Sequence, residues 1–245
     1  MRRVDNPPNP WLRNHVEWLG EPPEQPLEVF EEQAKSIVAS NDSPDVSFRW
    51  SVNPYRGCFH ACAYCFARPF HQHLGFGAGT DFERRIVVKT NAAELLRRHL
   101  AKPSWAGEPI VFSGVTDCYQ PLEASYRLTR GCLEVCREHR QPVGIITKGA
   151  LIERDVDVLA DLAREADATV FFSIPFADAD DARAIEPFAA TPERRLRALR
   201  TLSEAGVRTG VSVSPLIPGL NDHQVPTILE RARAAGAQHA FHVLL

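Results

Sequence analysis

The feature that most constrains this chain is an alternation, from about Ser47 onward, of short apolar runs with longer amphipathic stretches. The apolar runs are Phe48–Asn53, Pro109–Phe112, Pro142–Ile146, Ala168–Ser173, Thr209–Val213 and Ala240–Leu244. They are rich in Val, Ile and Phe, and most are apolar on both faces, as strands buried in a parallel sheet are. Between them the spacing predicts helices over Ala92–Leu100, Thr129–Glu138, Asp155–Arg164, Pro192–Ala205 and Val225–Ala235. Thr191 is a good N-cap with proline at the first helical position, and Gly206 and Gly236 are natural stops. Repeated βα units build a parallel sheet, so the expected fold is α/β, a partial (β/α)6 barrel of the TIM type. The last strand runs into Leu245 with no helix behind it. A buried strand at a chain end is the mark expected of a sequence lacking later C-terminal elements.

Residues 1–45 differ in character. Prolines at 7, 8, 10, 22, 23 and 26 break any long helix. This stretch reads as an irregular arm with a short helix over Leu27–Ala39, ahead of one domain over 46–245. No apolar run approaches the length of a membrane span. The N-terminus has basic residues but no apolar stretch behind them, so no secretory signal is expected. A cytoplasmic location follows as the expectation, with reduced thiols. The 6 cysteines are then metal ligands, catalytic groups or small buried hydrophobes rather than disulfides. A formal charge of −3 argues against a strongly basic nucleic-acid binder and leaves room for a local basic patch.

The first strand leads into Asn53-Pro54-Tyr55-Arg56-Gly57-Cys58-Phe59-His60-Ala61-Cys62-Ala63-Tyr64-Cys65. Three thiolates spaced C-x3-C-x2-C on a loop at a strand's end can ligate three irons of a cubane, leaving the fourth iron open. The alternative on spacing is a zinc site, with His60 or a distant cysteine as fourth ligand. Zinc sites usually pair two short-spaced couples, and no second couple of the usual type is present. Cys132 and Cys136 share a helix face, where buried, inert thiols are the commoner reading. Polar residues recur after the strands: Thr116-Asp117 after the second, Thr147-Lys148 after the third, Ser173 ending the fourth, and Ser212 and Ser214 ending the fifth. In barrels of this kind the chemistry sits at that end. The arginines Arg84-Arg85, Arg97-Arg98 and Arg194, Arg195, Arg197 and Arg200 read as solvated helix faces. His71 and His73 read as surface loop residues.

C-x3-C-x2-C with an aromatic before the third cysteine is the signature of radical S-adenosylmethionine (SAM) enzymes, and this loop resembles it. Asn41-Asp42-Ser43-Pro44-Asp45, Asn53–Cys58, Tyr64–Pro69, Thr116–Pro121 and Thr147-Lys148 are similar to the spore-photolyase-like branch of that superfamily. Glu186-Pro187, Ala189–Pro192 and Pro218–Asp222 extend the likeness to about residue 222. The resemblance implies a [4Fe–4S] cluster on Cys58, Cys62 and Cys65. It also implies SAM chelated to the open iron and cleaved by one electron to methionine and a 5′-deoxyadenosyl radical. It further implies Lys148, Thr116 and Ser173 around SAM, Tyr64 near the adenine through its backbone, and an external one-electron reductant of the flavodoxin or ferredoxin type. Cys118, at the second strand's end, is a candidate catalytic thiol. In spore photolyase the hydrogen-donor cysteine precedes the Ser/Thr-Asp pair, whereas Cys118 follows it and Gly114 holds the upstream place. Thymine-lesion repair, and with it a nucleic-acid substrate, therefore stands as an alternative to radical chemistry on a different, unidentified substrate. A second alternative is a non-catalytic iron–sulfur or zinc binding protein.

Overall fold

The helix expected over Leu27–Ala39 is replaced by two strands. In the computed structural model, which describes residues 26–44, 46 and 48–245, these are β1 (Glu28–Glu32) and β2 (Val38–Ser40). The cause is tertiary, because each strand completes a sheet edge. β1 pairs in parallel with an unanticipated strand, and β2 pairs antiparallel with the first expected one. Sheet pairing overrides a weak local helical preference. The division at residue 45 thus cuts across the sheet, since β2 belongs to it. Residues 1–25 of the expected arm lie outside the described residues.

The strands that follow are β3 (Trp50–Val52), β4 (Tyr55–Arg56), β5 (Arg85–Lys89), β6 (Ile110–Phe112), β7 (Val143–Thr147), β8 (Ala168–Ser173), β9 (Arg208–Leu216) and β10 (His239–Leu244). The helices are α1 (Asp81–Arg84), α2 (Ala92–Leu100), α3 (Glu123–Tyr126), α4 (Leu128–Glu138), α5 (Val156–Glu165), α6 (Ala179–Ile185), α7 (Pro192–Glu204) and α8 (Val225–Ala234). All six expected strands form and, with β2 added at one edge, make a seven-stranded sheet in the order β10-β9-β8-β7-β6-β3-β2, in which every pair except β2–β3 is parallel. The sheet is an open arc and not a closed barrel. A smaller sheet, β1-β5-β4, takes two of its strands, β4 and β5, from the long connection between β3 and β6, and its third, β1, from the segment ahead of β2.

The core forms where helix stripes meet the sheet. Leu95, Leu96 and Leu100 of α2, Leu133 and Val135 of α4, Val158, Leu159 and Leu162 of α5, and Leu199 and Leu202 of α7 pack with Phe112, Ile145, Val170 and Phe172. Thr191 caps α7 as its sequence suggests, accepting the Arg194 N–H, and Gly206 turns away with φ +84°. β10 departs from the buried strand expected. It stands at the sheet edge, exposed along its length, with Phe241 leaning on Phe171 at a centroid distance of 5.0 Å. Among the described residues no helix is long and apolar enough to cross a membrane.

Parallel pairing has one consequence for chemistry. It brings the C-terminal ends of β3, β6, β7, β8 and β9 to one edge, with Val52 opposite Phe112, Phe112 opposite Ile145, Thr147 opposite Phe172 and Ser173 opposite Ser212. The cysteine loop, Thr116-Asp117, Lys148, Ser173 and Ser214 all leave from this edge.

Candidate functional site

The cysteine loop begins at a glycine that nothing else can replace. Gly57 has φ +80°, and a Cβ there would stand 2.7 Å from the Phe82 carbonyl oxygen. That carbonyl accepts the Cys58 N–H at 2.9 Å. Ala61 also adopts a left-handed conformation, φ +57°, between the first two cysteines. Such backbone is held in place only where its surroundings determine it. Here the Ala63 N–H donates to the Ile185 carbonyl, and the Phe188 N–H donates to the His60 carbonyl. The segment after α6 therefore closes over the loop.

Cys58 and Cys62 are buried, Cys65 is half-buried, and all three are free thiols. Burial, then Asp117 and the other two sulfurs, pushes the Cys58 thiol well above its ordinary value. Cys62 is pushed up to about 12, by burial first, with Lys148 pulling the other way and Glu186 and Cys65 adding to the rise. Uncompensated thiolates are costly here, and coordinated cations would remove that cost and deprotonate them. Among the described residues no three His, Cys, Asp or Glu side chains converge as on a single metal ion. A cubane makes a different demand, one sulfur on each of three irons. Three free thiols gathered on one short loop fit that group.

The segment after β6 grips this loop. Asn53 Oδ1 accepts from the Val115 N–H at 3.1 Å, and Thr116 Oγ1 donates to the Tyr55 carbonyl at 3.1 Å. Asp117 accepts from Thr147 Oγ1 at 2.7 Å, the Lys148 N–H at 2.7 Å and the Tyr119 N–H at 2.9 Å. His60 Nδ1, buried and without an aligned hydrogen bond, faces Asp117 Oδ2 at 3.4 Å. Burial works against the Asp117 charge, but His60 and these donors outweigh it and hold the carboxyl well below the usual carboxylate range. His60 thus serves Asp117.

A second cluster stands beside Cys62, and its carboxylate and arginine had no role assigned from sequence. Glu186 is buried. Its Oε2 accepts from Arg195 at 2.5 Å, its Oε1 accepts from the Tyr64 hydroxyl, and Lys148 Nζ lies 4.0 Å from Oε1. Arg195 also donates to the Ser173 carbonyl at 2.7 Å and to the Ala190 carbonyl at 2.7 Å. Burial opposes the Glu186 charge, yet Arg195, Lys148 and Tyr64 hold this carboxyl below its ordinary value. Lys148 keeps its charge: burial would lower its pKa, but Cys62 and Glu186 raise it above the ordinary value. Its ammonium sits 5.5 Å from the Tyr64 ring centroid. Arg195 corrects the reading of a solvated arginine face, for it is 1% exposed. The signal was present, since Arg195 lies on the same α7 stripe as Pro192, Leu199 and Leu202.

Tyr64 and Lys148 therefore meet at the cysteine loop. Thr116 and Ser173 lie at the same sheet edge, but their hydroxyls already donate, to the Tyr55 carbonyl and to the Ser214 carbonyl at 3.1 Å. Cys118 departs from its expected place in the mouth. It is wholly buried within the main apolar core, its N–H donating to Ser113 Oγ and its carbonyl accepting from Thr129 Oγ1. Cys132 and Cys136 are core residues of α4. His71 is buried rather than a surface residue, with Nε2 2.8 Å from the Arg85 carbonyl, and Arg85 opens β5 rather than a helix face.

Replacing Arg195 with Met would leave Glu186 buried beside a weaker partner. A cost of about 3–5 kcal/mol in urea unfolding at neutral pH is expected. Glu186 is held below its ordinary value, so the pair's stabilisation is full above about pH 4 and is lost on acidification. The variant's deficit should therefore shrink as pH falls. A deficit below about 1 kcal/mol at neutral pH, the range of an exposed pair, would contradict this account.

Comparison with known proteins places this geometry. The family model described as the radical SAM superfamily matches residues 52–232. An uncharacterised protein of Mycobacterium bovis is 40% identical over 192 residues, covering 78% of this chain and 56% of that protein. An uncharacterised protein of Methanocaldococcus jannaschii is 31% identical over 196 residues, covering 80% of this chain and 70% of that protein. The chain thus spans little more than half the length of the mycobacterial relative. Among solved structures, a variant of spore photoproduct lyase superposes with a TM-score of 0.65 at 15% identity, covering 94% of this chain and 67% of that one. That likeness shows a shared fold, the partial barrel expected from the sequence. The match over residues 52–232, which holds the cysteine loop and every strand end described above, establishes that the chain belongs to the radical SAM superfamily.

Proposed function

We propose that this protein is an enzyme that binds a [4Fe–4S] cluster through Cys58, Cys62 and Cys65 and SAM beside it, and begins radical chemistry by hydrogen abstraction. The observation that carries the reading is the placement of three free thiols on one short loop, beside a charged lysine at the C-terminal edge of a parallel sheet. When bound, the cluster supplies one electron to SAM, the chemistry by which this superfamily releases methionine and a 5′-deoxyadenosyl radical. The protein's part is binding, orientation and exclusion of water.

Charge decides what Lys148 can hold. Arg195 neutralises Glu186 at hydrogen-bond distance, while Lys148 stands off at 4.0 Å. One carboxylate between two cations leaves one positive charge over, and a carboxylate such as SAM's is its natural partner. Thr116 and Ser173, whose hydroxyl protons are engaged, would act toward SAM as acceptors, suited to its amino or ribose hydroxyl groups. The backbone at Tyr64 would meet the adenine. An external one-electron donor of the flavodoxin or ferredoxin type would approach from the side of Cys65, the least buried of the three. Complete burial of Cys118 favours a reaction in which that thiol is not the hydrogen donor.

Two outcomes test this reading. Anaerobically reconstituted protein should hold about four irons per chain. The iron–sulfur absorbance should vanish on replacing Cys58, Cys62 or Cys65 with Ala, and persist when Cys132 and Cys136 are both replaced. Stoichiometric zinc without iron, in protein purified without oxygen, would overturn it. Lys148→Ala should leave the iron content unchanged and weaken SAM binding by about 1.5–3 kcal/mol in calorimetry. Unaltered affinity would remove Lys148 from the binding site.

A further inference from the structure

Gln120 has no part in the chemistry above, yet it is completely buried and directs both ends of its amide at the cysteine loop. Its Nε2 donates to the Gly57 carbonyl at 3.2 Å, and its Oε1 accepts the Phe59 N–H at 3.0 Å. These are the residues on either side of Cys58. With the Cys58 N–H held by the Phe82 carbonyl, the peptide groups around the first cysteine are fixed by partners outside the loop.

We propose that Gln120 is a positioning residue for the cluster, setting the backbone that aims the Cys58 thiolate at its iron; this rests on Cys58 being a cluster ligand. Gly57 explains the need. Its left-handed backbone, without a side chain, would be the softest joint next to a ligand. A primary amide offers a donor and an acceptor on one rigid plane, so one side chain can hold the peptides before and after Cys58. Gln120 is itself anchored, its N–H donating to the Asp117 carbonyl and its carbonyl accepting from the Glu123 N–H. Cys62 is fixed by a different device: Arg68 donates to its carbonyl through Nε at 3.3 Å and a terminal nitrogen at 3.0 Å. The clamp on Cys58 comes from another strand's end, and so couples cluster geometry to β6.

The test is the rate at which a ferrous chelator strips iron from the anaerobically reconstituted full chain, read with the electron paramagnetic resonance signal of the reduced cluster. Gln120→Met keeps the side chain's length and removes both hydrogen bonds. It should lose iron about tenfold faster than wild type and shift the signal. Gln120→Glu, which retains the acceptor for Phe59 and loses the donor to Gly57, should fall between. Gln141→Met is the control, since Gln141 is likewise a buried amide that bonds Trp105 and the Glu108 carbonyl just before β7, at the other edge of the sheet. It should match wild type. Wild-type rate and signal in Gln120→Met, or an equal change in Gln141→Met, would overturn the proposal. So would loss of folded structure in metal-free Gln120→Met by far-ultraviolet circular dichroism, because the residue would then serve the whole scaffold. Failure of the wild type itself to take up iron would instead bring down the cluster reading on which the proposal stands.

Discussion

Asp117 is the tie on which the site depends. One carboxylate receives Thr147, Lys148 and Tyr119 as donors and faces His60, so it joins the end of β7, the loop after β6 and the cysteine loop. Each donor comes from a segment that parallel pairing has already carried to the same edge. Hydrogen bonds to an ionised acceptor are stronger than neutral ones, and in a nearly buried place they also offset the cost of the charge. The low pKa direction of this carboxyl follows from that arrangement. Asp117 ties the β7 end that carries Lys148 to the loop that carries the cysteines through the backbone of Lys148, where Glu186 joins them only through the side chains of Lys148 and Tyr64.

Charge balance extends the same logic across the site. The two carboxylates at its centre are each matched, Asp117 by donors and His60, and the buried Glu186 by Arg195, Lys148 and Tyr64. The thiols are not matched: burial leaves Cys58 and Cys62 with raised pKa values. An arrangement that satisfies its carboxylates and leaves buried thiols and one ammonium less well compensated is what the proposed cluster and the anionic group of SAM would call for. The structural-zinc alternative accounts for thiols alone and gives no role to Lys148.

Much of this was legible in the sequence, for identifiable reasons. Strands buried on both faces must be apolar at successive positions, so β3, β6, β7, β8 and β9 stood out as runs. The cysteine loop was legible because its ligands are local in sequence. What escaped detection depends on contacts between distant segments. Strand β5, Arg85–Lys89, has an apolar centre but arginine and lysine at its ends, and it acquires meaning only through β1 and β4. The helix expected over Leu27–Ala39 failed for the same reason. Arg195 looked like one of several surface arginines until its place on the buried stripe of α7 was seen. Gln120 falls within the Thr116–Pro121 likeness, but its role was not legible, because its partners are 61 and 63 positions away.

The central claim is that these side chains hold a redox cluster and SAM as one reactive unit. The most direct measurement is anaerobic incubation of the reconstituted full chain with SAM and dithionite, with products separated by liquid chromatography and mass spectrometry. The account predicts 5′-deoxyadenosine and methionine in equal amounts, abolished by Cys58→Ala and reduced by Lys148→Ala. Intact SAM after incubation of protein that carries its full complement of iron would contradict it.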